Sequence, residues 1–183
     1  SRSFTFDPRD PVPTRGGGNL TIPAGVRDQR EIEKRPDVLV FTSAPLHEPI
    51  EVTGRVVARL FIESDRPDTD FAVKLCDVYP DGRSLNVCDG ILRVRHRKGF
   101  DRIDLLTPGE VTPIDVDLGS TSIVFNKGHR LRVHVTSSNY PRADVNPNTG
   151  WPAWPFCPVE TAHNTVHCSA GRASLIELPV VRR

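Results

Sequence analysis

Methionine is absent from all 183 residues, position 1 included. A complete natural chain starts with methionine unless it has been processed, so the sequence is expected to be a piece of something longer. No apolar run approaches the ~18 residues a membrane-spanning helix needs, so no membrane partner is expected. The opening SRSFTFDPRD lacks a basic region followed by an apolar stretch, so no export signal is expected in these residues. A dominant charge is missing too. The 24 Lys+Arg and 23 Asp+Glu nearly cancel, leaving no global field to recruit nucleic acid. The one local exception is LRVRHRK (92–98). Read as a strand, it puts Arg93, Arg95 and Arg97 on one side, either as an exposed or inter-domain face or as a narrow phosphate-binding stripe. Cysteine is scarce: Cys76, Cys88, Cys157 and Cys168 are too few for a disulfide scaffold and none forms C-x-x-C.

Helical periodicity is the largest absence. DQREIEKR (28–35) offers one or two polar turns before Pro36; the remainder of residues 1–36, with FDPRDPVPTRGGG, reads as an irregular leader. From residue 38 onward the period becomes two, the mark of half-buried strands. Val38–Phe41 is a short apolar strand. Val52, Val56, Ala58, Leu60 and Ile62 alternate with Thr53, Arg55 and Arg59. Phe71, Val73, Leu75 and Tyr79 share a face, as do Ile114, Val116 and Leu118. Leu131, Val133 and Val135 alternate with Arg130, Arg132 and His134, and a last strand spans 174–181. Eight or nine short strands with turn signals between them predict an all-β domain over 37–183, and a jelly-roll β-sandwich suits that count. At Pro80-Asp81-Gly82 a type I turn with Gly82 left-handed sets Tyr79 opposite Arg83 and Cys76 opposite Asn86. Cys88 then lies diagonal to Cys76 on one face, ~7–8 Å away and beyond disulfide reach, so both are read as free thiols.

Several constellations invite a chemical reading. G-x-S-x-G, the exposed nucleophile turn of α/β-hydrolases, is absent. A triad of Ser137 or Ser138 with His134 and an aspartate has no spacing to support it. Cys157, His163, His167 and Cys168 are competent zinc ligands, but their spacing matches no finger, and His167 and Cys168 point to opposite sides of an extended chain. No metal or other cofactor is therefore expected. Asp65, Asp68 and Asp70 lack the glycine and glutamate of a calcium loop, and read as a polar turn with solvated or arginine-paired carboxylates. Trp151 and Trp154, in WPAWP, are the candidate platform of a carbohydrate-binding module.

Three blocks carry a resemblance: Asp68-Thr69-Asp70-Phe71; DVYPDGR (77–83); and GHRLRV (128–133), SSNYPR (137–142) and NPNTG (146–150) in that order. With them the chain resembles, over nearly its whole length, the C-terminal domain of one hydrolase family. That is the CocE/NonD family of cocaine esterase, X-prolyl dipeptidyl peptidase, α-amino-acid ester hydrolase and glutaryl acylase. The segment WPAWPFCPVE (151–160) departs from it. The resemblance implies a jelly roll like galactose-binding domains, without catalytic residues of its own, that follows and packs on an α/β-hydrolase domain of the same polypeptide. It implies that the leader (1–36) packs on that catalytic domain. It further implies that Gly17, Gly18, Asn19 and Leu20 wall the acyl pocket there. Oligomeric state stays open, a homo-oligomer included.

Overall fold

The computed structural model describes residues 1–20, 22–151 and 157–182. Two antiparallel sheets form a sandwich. The strands are β1 (Arg2–Phe6), β2 (Leu39–Thr42), β3 (Ile50–Ser64), β4 (Asp70–Val78), β5 (Ser84–Arg93), β6 (Thr112–Phe125), β7 (Arg130–Thr136), β8 (Ala162–Ser169), β9 (Arg172–Ala173) and β10 (Leu175–Glu177). One sheet is built on β3, which pairs with β6 along one edge. Its other edge is shared by β10 near the middle and β8 near the end, and β8 in turn pairs with β1. The second sheet runs β2-β7-β4-β5.

The expected alternation sets the core. Val52, Val56, Ala58, Leu60 and Ile62 are buried, with Phe71, Val73 and Leu75 facing them from the second sheet. On the solvent face of β3, Arg55 pairs with Asp117 at 2.7 Å and Arg59 with Glu177 at 2.8 Å. An extra residue in β6 bulges at Gly119, whose φ of 77° suits a residue without a Cβ.

The structure departs from the sequence expectations at four places. Arg2–Phe6, read as irregular, is a strand, because Phe4 and Phe6 plug the core while Ser3 and Thr5 meet β8 on the outside. Its partner β8 did not stand out as a strand, since Asn164 and His167 interrupt its apolar pattern. Arg93, Arg95 and Arg97 form no stripe: β5 ends at Arg93, and a 3₁₀ turn over Val94–His96 turns Arg95 inward. Finally, Cys76 and Cys88 lie on opposite faces of their sheet. The turn delivers the expected pairs, Tyr79 with Arg83 and Cys76 with Asn86, but a bulge at Val87 then sets Cys88 opposite Leu75. Cys88 belongs to the core, whereas Cys76 looks away from it towards His134.

The outer face of the second sheet is also covered. Every β4 residue except Lys74 is buried, because the leader folds back over the strand. Val12, Ile32 and Val38 make a second small apolar cluster there, and the 28–35 segment contributes one 3₁₀ turn, Ile32–Lys34.

Candidate functional site

The leader loop from Gly16 to Gly25 is the segment to which the resemblance points, and it is built on a buried polar base. Gly17 and Gly25 exchange two backbone hydrogen bonds, of 2.8 and 3.0 Å, closing the loop. Gly16 takes φ = 73°, and a Cβ there would stand 2.4 Å from the Gly25 carbonyl oxygen, so the closure requires glycine. Asn19 stiffens the tip: its Nδ2 donates to the Gly16 carbonyl and its Oδ1 accepts from the Ile22 N–H. Leu20 is 102% exposed, so the loop holds an apolar side chain wholly out in solvent, and Val26 just past it is 64% exposed.

Beneath it lies Gln29, with no exposed surface. Its Nε2 donates to the Arg15 and Arg27 carbonyls at 2.8 and 3.0 Å, on either side of the loop, and its Oε1 accepts from Lys74 Nζ at 2.8 Å. Asn86 Oδ1 accepts the Arg27 N–H at 2.6 Å. Asp89 accepts from Asn139 and from Arg142, which reaches it beside Gly17. Burial lowers the Lys74 pKa below its ordinary value and pushes the Cys76 thiol up to about 12. Both effects mark a dry base. Next to it, Glu33 on the 3₁₀ turn accepts from Arg132 at 2.6 Å and bonds His134 Nε2 at 2.9 Å. For Gln29, Asn86 and Asp89 the sequence carries no signal, and for Lys74 it carries one, a lysine among the mostly apolar residues of FAVKLCDVY.

A second group of exposed apolar residues lies past the far end of β5. Segment 139–151 is pinned along β5 by Arg142 to Asp89, by Arg93 to the Asp144 carbonyl, and by Arg95 to the Gly150 and Trp151 carbonyls. Arg95 is itself paired with Asp68, both buried, while Arg93 pairs with Asp70. Leu105 packs on Gly150. Trp151, Leu105, Ile103 and Phe100 are all exposed there. Asp68 and Asp70 are thus committed to arginines, and Asp65 caps the His163 N–H.

The other candidates are dispersed. His134 faces Glu33; Ser137 Oγ accepts from Asn164 and Ser138 Oγ from the Val12 N–H, so neither serine bonds a histidine. His163 bonds Thr5 and His167 bonds Glu63 on the outer face of β8. Cys168 lies on the inner side, and no three metal-competent side chains converge among the described residues. Trp154 lies outside the described residues, so no pairing with Trp151 is described.

The architecture is that of an antiparallel β-sandwich domain. The chain belongs to the X-Pro dipeptidyl-peptidase C-terminal non-catalytic domain family, which matches residues 4–177. It is 43% identical over 188 residues to cocaine esterase of Rhodococcus sp. (strain MB1 Bresler), covering 99% of this chain and 32% of that protein. An aminopeptidase from the marine sediment archaeon Thaumarchaeota archaeon superposes with a TM-score of 0.90 at 33% identity, over 99% of this chain and 33% of the other. An α-amino acid ester hydrolase gives 0.88 at 32% identity, over 98% and 32%. The chain thus spans about a third of the length of these relatives.

Proposed function

We propose that this domain packs on, and stabilises, an α/β-hydrolase catalytic domain of the same polypeptide, whose class is a serine esterase, amidase or X-Pro dipeptidyl-peptidase. On this reading residues 1–36 join the two domains. The Gly17-Gly18-Asn19-Leu20 tip walls the acyl pocket, with Leu20 as its apolar contact and the glycines letting backbone approach the substrate. One observation carries the reading. Leu20 is fully exposed on a loop whose base is locked by buried Gln29 and half-buried Lys74. A rigid mount holding an apolar residue in water is what a docking or pocket contact needs.

The test is made in the full-length polypeptide. Leu20→Ser is expected to lower kcat/KM for p-nitrophenyl esters about tenfold, the loss of one buried apolar contact. This chain alone should turn over neither those esters nor Ala-Pro-p-nitroanilide. Unchanged kinetics in Leu20→Ser would remove the pocket-wall role. Turnover by the purified chain would place a catalytic group within it, with His134, Ser137, His163 and His167 as the candidates. The exposure of Trp151 favours a second reading, a carbohydrate-binding module. It requires retention on polysaccharide that Trp151→Ala abolishes.

A further inference from the structure

A small cavity of about 20 Å³ lies between the leader and the outer face of the second sheet. Its roof is the apolar cluster of Val12, Ile32 and Val38. Its floor comes from β4 and β7, whose pairing sets Lys74 opposite His134 and Ala72 opposite Thr136.

Two of the polar groups that line it are buried and unused. His134 and Thr136 keep only 3% and 6% of their surface in solvent, yet His134 Nδ1 and Thr136 Oγ1 have no hydrogen-bond partner among the described residues. Buried polar atoms left in that state are rare in folded proteins. The other side of the imidazole sets what Nδ1 can do. His134 Nε2 lies 2.9 Å from the Glu33 carboxylate, which also accepts from Arg132, so Nε2 carries the proton and Nδ1 of the neutral ring can only accept. The Thr136 hydroxyl can donate or accept. Lys74, a third polar residue of the lining, gives one ammonium proton to Gln29 and has two more to give.

An occupant must donate to Nδ1, pair with a hydroxyl and an ammonium, and be very small. An anion brings no proton for Nδ1, and the Lys74 ammonium repels a cation. One water needs about 10–15 Å³ of such space and two to four polar partners. We propose that the cavity is a binding site for a single structural water, which donates to His134 Nδ1 and accepts from Thr136 Oγ1 and Lys74 Nζ. This water joins two attachments of the leader, Gln29 on Lys74 and Glu33 on His134, across the paired strands β4 and β7. The site lies wholly within this domain and does not depend on the pocket-wall role of Leu20.

A crystal structure of the full-length polypeptide, at a resolution that shows ordered water, tests the site. Expected is one isolated density peak within about 3.2 Å of both His134 Nδ1 and Thr136 Oγ1. No peak, or density too large or too elongated for one water, would overturn the assignment. Thr136→Val keeps the shape of the side chain and removes the hydroxyl. It should displace or weaken the peak and lower the melting temperature of the domain by about 2–4 °C, the shift expected for one lost hydrogen bond at this size. Thr136→Ser, which retains the hydroxyl, should retain the peak. An unchanged or raised melting temperature in Thr136→Val would show that the hydroxyl stood unpaired in a dry cavity, and would overturn the proposal independently of the density.

Discussion

Arg95 is bonded to Asp68 through Nε and Nη2, at 2.8 and 2.7 Å, with both side chains almost completely out of solvent. The same guanidinium donates to the Gly150 and Trp151 carbonyls, so one buried ion pair ties the 3₁₀ turn to the tryptophan loop. Asn146 donates to Asp68 as well, leaving the carboxylate fully engaged.

Arg95→Ala should therefore strand a buried carboxylate and destabilise the domain by about 3–5 kcal/mol, read as a lower urea midpoint. Combining it with Asp68→Asn should recover part of the loss, since the unpaired charge goes with it. A single substitution with no effect on the midpoint would contradict this account.

Gln29→Ala should cost about 2–3 kcal/mol, because it leaves Lys74 and the Arg15 carbonyl without a partner and leaves the Arg27 carbonyl only the Asn86 N–H. Hydrogen exchange should quicken first at Gly17 and Gly25, which close the loop above it. Adding Lys74→Met should restore stability in part, as no half-buried ammonium then requires an acceptor. Equal exchange in the parent chain and in Gln29→Ala would show that the base is not what holds the loop.

Acid should loosen the leader in two stages. Burial, opposed by the Glu33 hydrogen bond and reinforced by Lys74 and Arg132, holds His134 below its ordinary 6.5. The unfolded chain thus takes up this proton first, and stability falls as pH drops from about 6.5 to the lower folded value. Glu33, its partner, is also held below its ordinary value. Burial pushes its carboxyl up, but the bond from His134 and the charge of Arg132 bring it below 4.5. Its contribution is complete above 4.5 and is lost as pH falls through the folded value. Thermal midpoints measured from pH 7 to 3 should show both declines, and His134→Gln should flatten the first.

Gly90→Ala should be among the most damaging substitutions for its size. A Cβ at Gly90 would lie 1.9 Å from the Asp117 carbonyl oxygen and 3.1 Å from Leu118 Cα, backbone atoms that cannot turn aside. Forcing β5 off β6 should cost about 3 kcal/mol and appear as a depressed melting temperature. A midpoint unchanged by the extra methyl would mean that the two sheets approach each other less closely there.

What the sequence determined by itself was local and periodic. Alternation at Val52–Ile62, Phe71–Leu75 and Ile114–Leu118 assigned strands and their buried faces, because an alternating strand can hide one face in only one way. The Pro80-Asp81-Gly82 turn set the first pairs of its hairpin through backbone geometry alone. Three ordered blocks pointed to the family. What escaped depends on contacts between distant residues. The Val87 bulge, which sends Cys76 and Cys88 to opposite faces, has no local signature. Arg95 reads as a surface charge until Asp68 comes to meet it from 27 positions away. The leader reads as loose because proline and glycine leave it no regular structure, yet it is stitched over β4 by Val12, Gln29 and Glu33. Only the folded arrangement decides that, since Gln29 orders the loop by bonding groups that are neighbours in space, not along the chain.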